Sequence, residues 1–166
     1  MVAEDVARFY ADVHGITTVS LRLGMFVPET FERYGFRLLF GGVDDRDVAR
    51  AVVLALDHEP SQRFEAVDIM AESGLTEADL PRLDADLPAL LDERWPGTLD
   101  LVGRHDLDLA DLVWGRLLFP VDRARTVLGY DPRYHFAAFL DAWRRGDREH
   151  YPFSDEPWWG VERPAS

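Results

Sequence analysis

Cysteine and lysine are among the residue types missing from this 166-residue chain, and each of these two absences closes off chemistry. It contains no cysteine, which rules out disulfides, thiolate nucleophiles and thiolate metal sites. It contains no lysine either, since all 18 basic residues are arginine. Schiff-base chemistry, a P-loop lysine and a Tyr-x-x-x-Lys proton-transfer pair are therefore beyond this chain alone. Basic charge is also scarce in total. The formal net charge is −13 and the sequence pI is near 4.7. A nucleic-acid or anionic-membrane surface needs clustered basic residues, so both partners are argued against. Apolar runs long enough to span a bilayer are missing as well. The opening residues do not have the charged, apolar and small-residue order of a secretory leader, so the cytoplasm is the expected location.

A hydrophobic fraction of 47% is enough to bury a core, so the chain reads as globular rather than disordered. Val2, Val6, Phe9 and Val13 fall at i, i+4, i+7 and i+11, one stripe of a helix. Glu4 and Asp5 sit in its first turn, where the helix dipole favours acids, and Gly15 suits the left-handed stop. "ITTVSLRL" then switches to a period of two. Val19, Leu21 and Leu23 point one way and Thr18, Ser20 and Arg22 the other, as in a strand. Gly24 to Pro28 leave it as a loop.

"VDDRDVARAVVLALDHEP" predicts a helix capped by Asp44, with Asp47 in a capping-box-like position. Val48, Val52, Ala55 and Leu56 are its expected buried stripe, and Pro60 ends the region. "RFEAVDIMA" reads as a second strand. This alternation implies an α/β fold with a parallel sheet. In "LTEADL", Thr76 is a plausible cap, with Leu75 and Leu80 as a staple. Pro81 and Pro88 break any long helix, and "LLDERW" fits a helical segment. No element is assignable between Pro96 and Pro120. "VDRARTVLGYDP" predicts a short helix capped by Asp122 and stopped by Gly129. In "YHFAAFLDAWRRG", Phe136, Phe139, Leu140 and Trp143 form a helical stripe. The boundaries that follow are 1–71, a sheet-bearing part, 72–150, a mainly helical lobe, and 151–166, a proline- and tryptophan-rich tail.

Four of these segments, in order, carry a resemblance. "EDVARFYADVHGITTVSLRLGMFVPE", "DDRDVARAVVLALD", "FEAVDIM" and "VDRARTVLGYDP" resemble the C-terminal half of the extended short-chain dehydrogenase/reductases, the NAD(P)-dependent epimerase/dehydratase family. The resemblance implies a partial Rossmann-type parallel sheet, its last two strands, plus a helical substrate-side lobe. It implies NAD or NADP as cofactor and a sugar or nucleotide sugar as substrate. The likeness is good at both ends and weak between about Leu75 and Pro120. The glycine-rich dinucleotide fingerprint, the acidic ribose ligand and the Tyr-x-x-x-Lys pair are absent, and Met25 stands where many members have Asn. Glu4 matches a family Glu four residues after the catalytic Lys, which would place that Lys just before Met1. On this reading the chain is not catalytic alone and binds cofactor weakly or not at all. An open strand edge and uncovered apolar faces would call for self-association or a nucleotide-binding partner chain. The alternative is a non-catalytic small-molecule-binding or protein-interaction module derived from that family.

Carried over residue by residue, the resemblance implicates Gly24, Met25, Phe26, Val27 and Pro28 beside the cofactor, against an ordinary strand exit with apolar packing. Arg33 and Arg37 are the substrate-side candidates, since a guanidinium fork suits a carboxylate or phosphate. A solvated arginine is the alternative for each. Arg22, in the strand, reads as a structural ion-pair partner. Tyr10 and His14 form a Tyr-x-x-x-His, but a neutral imidazole cannot replace an ammonium that lowers a tyrosine pKa. His105, Asp106, Asp108 and Asp111 match neither an EF-hand nor a zinc spacing and read as a solvated acidic segment. Trp158 and Trp159 read as tail packing rather than a stacking platform.

Overall fold

A computed structural model describes residues 2–113 and 115–154; Trp158 and Trp159 lie outside the described residues, as does most of the 151–166 tail. The chain opens with helix α1 (Val2–His14), strand β1 (Thr18–Leu23), helices α2 (Phe31–Arg37) and α3 (Asp45–Asp57), and strand β2 (Phe64–Ile69). A 3-10 turn at Glu77–Asp79 leads to α4 (Leu80–Ala85), α5 (Leu87–Arg94), α6 (Thr98–Arg104) and α7 (Leu109–Leu112). The last helices are α8 (Asp122–Leu128) and α9 (Phe136–Arg144), followed by a 3-10 turn at Arg148–His150. Among the described residues, no helix is long and apolar enough to cross a membrane.

The two strands pair in parallel, from Thr18 opposite Phe64 to Leu23 opposite Ile69. The fold is thus α/β, with α2 and α3 forming the crossover that a parallel pair requires. The alternation read from the sequence holds in three dimensions. Val19, Leu21, Val67 and Ile69 pack with Val48, Ala51 and Ala55 of α3 and with Ala124 and Leu128 of α8. The opposite face carries Thr18, Ser20, Arg22 and Asp68 beside Phe64 and Ala66, and α1 covers it: Ser20 and Arg22 donate to the Glu4 carboxylate at 3.1 and 2.7 Å. Arg22 is therefore an ion-pair partner, as expected. A second core lies in the helical lobe, where Phe31, Tyr34 and Phe36 of α2 meet Leu83, Leu90 and Leu91, and Phe136, Phe139 and Trp143 of α9. Both cores draw residues from both sides of position 71.

Two helices sit differently from what their stripes suggest. α1 docks through Glu4, Ala7 and the buried Ala11. Its apolar row points the other way, with Val2 79%, Val6 51%, Phe9 55% and Val13 59% exposed. In α3 the expected stripe is corrected: Val52 and Leu56 are exposed, while Asp47 and Ala51 are fully buried. The cause is Asp47, whose carboxylate accepts the amides of Arg133 and Tyr134, each at 2.9 Å, and so turns that face of α3 inward.

Caps and stops follow local chemistry. Asp44 caps α3 by accepting from the Arg46 amide, and Thr76 forms a capping box with Asp79. Pro81 and Pro88 start α4 and α5 rather than only ending a helix, because the first turn needs no proline N–H. Asp122 is the first residue of α8 and makes no side-chain cap, while Gly129 stops that helix at φ 66°. The Pro96–Pro120 stretch left unassigned holds α6 and α7.

Candidate functional site

Ligands of parallel α/β sheets gather beyond the carboxyl ends of the strands. Both strands of this sheet end on the same side, β1 into the Gly24–Pro28 loop and β2 into the Met70–Thr76 loop. Gly24 is needed where it stands. A Cβ there would lie 2.7 Å from both the Gly41 carbonyl oxygen and the Met70 sulfur. That close approach lets the 41–43 segment wedge between the strand ends. Gly24 donates to the Ile69 carbonyl, Met25 to that of Gly41, and Val43 to that of Met25, at 2.9, 3.0 and 3.0 Å. Met25 and Phe26 remain exposed, and Val27 and Pro28 are half-buried.

The sequence-predicted residues do come together here. Met25, Glu29, Arg33 and Arg37 line a small cavity of about 30 Å³. Phe26, Pro28 and Arg37 line another of about 110 Å³ with Tyr151 and Phe153. Arg37 is buried and serves the loop itself. It donates to the Val27 carbonyl and lies 3.2 Å from the Glu29 carboxylate. Burial pushes the Glu29 carboxyl above its usual range, outweighing Arg37 and Arg33 nearby. Arg33 sits one turn earlier on α2, its amide bonded to the Thr30 hydroxyl.

Behind the loop lies a buried polar cluster that the sequence reading missed. The Tyr34 hydroxyl donates to the fully buried Asp44 at 2.7 Å. Arg46 forks onto the same carboxylate at 2.8 and 2.7 Å and also donates to the His150 carbonyl. Burial opposes the charge on Asp44, but these donors hold its carboxyl below the usual range. Burial, reinforced by the adjacent Asp44, pushes the Tyr34 phenol up. Burial and the Arg46 charge lower His150. The acidic run Asp44, Asp45, Asp47 around Arg46 was a visible signal for a polar helix start; nothing in the sequence marked Tyr34.

Roomier than either loop cavity is a cleft of about 650 Å³ at the carboxyl end of β2. Glu72, Ser73 and Thr76 form one wall, and Phe119, Asp122 and Arg125 the other. Arg125 donates to Glu72 at 2.8 Å. The Thr76 wall is fixed by Asp79, which accepts from the Thr76 amide and hydroxyl and from Arg94. Those bonds hold the Asp79 carboxyl at about 2. Phe119 links cleft and loop: a Cβ on Gly41 would lie 2.8 Å from its ring, and Gly41 is the residue that accepts from Met25. An aromatic edge flanked by carboxylates, hydroxyls and one guanidinium suits a polyhydroxylated ligand. The position after a parallel strand was the available sequence signal for this cleft.

The same geometry bears on a dinucleotide. A pyrophosphate needs free amides at a glycine turn and a helix N-terminus. The Gly24 and Met25 amides are spent on Ile69 and Gly41, and the N-terminus of α2 is capped by Thr30. The Gly24 and Met25 amides are thus not available to a pyrophosphate. The Tyr10 and His14 rings lie 5.2 Å apart at a tilt of 32° on exposed positions of α1. His105 lies against Trp143, and Asp108 caps α7. Among the described residues, no group of three or more acidic or histidine side chains is placed to hold a metal. Compared with protein-family models, curated proteins and solved structures, the chain matches none.

Proposed function

We propose that this chain is the substrate-side half of an NAD(P)-dependent enzyme acting on a sugar or nucleotide sugar, unable to run the reaction by itself. One observation carries the reading. The 650 Å³ cleft opens at the carboxyl end of a parallel strand pair, next to the loop that leaves the neighbouring strand. In this reading the sugar rests on Phe119, its hydroxyls donate to Glu72 and Asp122, and Arg125 takes an anionic substituent. Gly24 to Pro28 then face the cofactor from the adjacent strand end. NAD or NADP, and the Tyr–Lys pair that a lysine-free chain cannot supply, come from a nucleotide-binding portion outside the described fold.

The open edge of β1 supports that division. Thr18 and Gly24 donate toward β2, so alternation turns the amides of Val19, Leu21 and Leu23 outward. Among the described residues no strand lies along that edge. A groove of about 680 Å³ runs beside it, lined by Val19, Leu21, Val52, Ala55 and Leu56. A further parallel strand with apolar side chains would fill it and cover Val52 and Leu56 of α3. Absent such a portion, the cleft stands as a binding module, the second reading.

The test is backbone amide NMR on the purified chain. Titration with glucuronate or a uridine diphosphate sugar is expected to shift resonances at 72–76 and 118–125, while NAD⁺ or NADP⁺ at millimolar concentration shifts few. Micromolar cofactor affinity, or sugars that leave those resonances unmoved, would overturn the reading.

A further inference from the structure

Unpaired buried polar groups are concentrated at one place in this fold. Five buried side-chain atoms lack a hydrogen-bond partner among the described residues: Glu29 Oε2, Arg37 Nε, Asp45 Oδ1, Trp143 Nε1 and His150 Nε2. Arg37 and Asp45 both line the 110 Å³ cavity at the β1 exit loop. Glu29 shares the neighbouring 30 Å³ cavity with Arg37. Native interiors seldom leave such groups unpaired, and each one calls for an occupant or a role. The other walls of the larger cavity are Phe26, Pro28, Tyr151 and Phe153. The Tyr151 and Phe153 rings meet edge to face, their centroids 5.8 Å apart and their planes at 70°. Three aromatic rings thus border a space that a carboxyl group also lines.

The charges around this space do not balance. Arg37 is spent on the Glu29 carboxylate, 3.2 Å away, and on the Val27 carbonyl. Arg46, next in sequence to Asp45, forks onto Asp44 instead. Asp45 keeps a buried oxygen that no donor reaches. Burial and the adjacent Asp44 push its carboxyl above the usual range, as for an acid that lacks a counter-charge. We propose that the cavity binds a small free primary ammonium ion bearing a hydroxyl group, of the size of ethanolammonium. The ammonium donates to Asp45 Oδ1 and rests against the π faces of Phe26, Tyr151 and Phe153. The hydroxyl oxygen accepts from Arg37 Nε, so one guest pairs both groups. A volume of about 110 Å³ equals roughly four water molecules, which sets the guest at about four heavy atoms. A quaternary ammonium has no N–H for Asp45, and a neutral alcohol leaves the carboxylate uncompensated. This inference uses neither the larger cleft nor a cofactor, so its failure would leave the proposed function standing.

Backbone amide NMR with ethanolamine hydrochloride, at neutral pH and constant chloride, tests it. The resonances of Phe26, Glu29, Asp45, Tyr151 and Phe153 are expected to shift, with a dissociation constant on the order of 1 mM, as about four heavy atoms allow. 1-Propanol, which carries a methyl group in place of the ammonium, is expected to bind roughly tenfold more weakly or not at all. Asp45→Asn removes the charge at nearly constant shape, and Asp44 still caps α3. It is expected to weaken ethanolamine roughly tenfold and to leave 1-propanol unchanged. Phe153→Leu keeps that wall apolar but removes its π face, and is expected to weaken ethanolamine severalfold. Phosphatidylethanolamine vesicles separate the free ion from a lipid headgroup, and the chain is expected to stay in the supernatant when they are pelleted. Ethanolamine that moves none of these resonances overturns the proposal. So does 1-propanol binding as tightly, undiminished binding by both variants, or pelleting of the chain with the vesicles.

Discussion

Replacing Asp44 with alanine removes three interactions at once. Its carboxylate caps α3 through the Arg46 amide, accepts the buried Tyr34 hydroxyl and receives the Arg46 fork. Loss of the cap costs about 1 kcal/mol. Leaving the Tyr34 hydroxyl buried without an acceptor costs about 1–3 kcal/mol more. The Arg46 contribution is smaller than for a sealed pair, because that side chain is 31% exposed and keeps its bond to the His150 carbonyl. The sum is a loss of roughly 2–4 kcal/mol, reaching the low end for breaking a buried pair. Urea unfolding at neutral pH, followed by far-UV circular dichroism, measures it. Tyr34→Phe alone should lose about 1 kcal/mol, and the double variant should lose less than the sum of the singles, since the second change removes a group the first has already orphaned. A loss below about 1 kcal/mol for Asp44→Ala, or strict additivity, would refute the reasoning.

Gly35→Ala puts a Cβ 2.0 Å from the Phe139 ring; overpacking of this kind costs about 1–3 kcal/mol, and a stability equal to wild type in the same urea assay would contradict the packing. Glu4 is held at about 2, against an ordinary 4.5, first by its bond from Arg22. A depressed carboxylate stabilises above its unfolded value and loses that stabilisation as pH falls through its folded one. α1 should therefore loosen as pH drops from 4.5 toward 2, read by hydrogen exchange of α1 amides corrected for intrinsic rate. Glu4→Gln should flatten that pH response; matching profiles for the two proteins would exclude Glu4 as its source.

Periodicity made the strands and the α9 stripe legible, because Val19 and Leu21, partly buried, and Phe136 and Phe139, fully buried, lie on the faces they share. It identified the α1 stripe correctly as a stripe but carried no information on what the stripe faces; a helix held by Glu4 and two alanines can turn its valines outward. α3 shows the opposite failure. A hydrophobic count placed Val52 and Leu56 inside, whereas the amides of Arg133 and Tyr134, distant in sequence, pull Asp47 in. α6 and α7 were invisible because helices of seven and four residues offer too few turns for a period. At the candidate site, Gly24 to Pro28, Arg33 and Arg37 were legible as a neighbourhood. That Arg37 is consumed by Glu29 and Val27 was not, since ion-pair partners leave no trace in spacing.

The sheet-side core has a consequence for synthesis on the ribosome. Its strands are complete at Ile69, yet Ala124, Leu128 and Tyr130 belong to the same core, and the Tyr130 hydroxyl donates to the Met70 carbonyl at 3.1 Å. Translation adds about 5–20 residues per second, so the roughly 60 residues between them take on the order of 3–12 s to emerge. During that interval Val67 and Ile69 are covered by α3 alone. The nascent chain thus carries a half-covered apolar sheet face for seconds before α8 arrives to close it, long enough for a chaperone to bind, and slowing translation anywhere between Met70 and Tyr130 would lengthen that exposure.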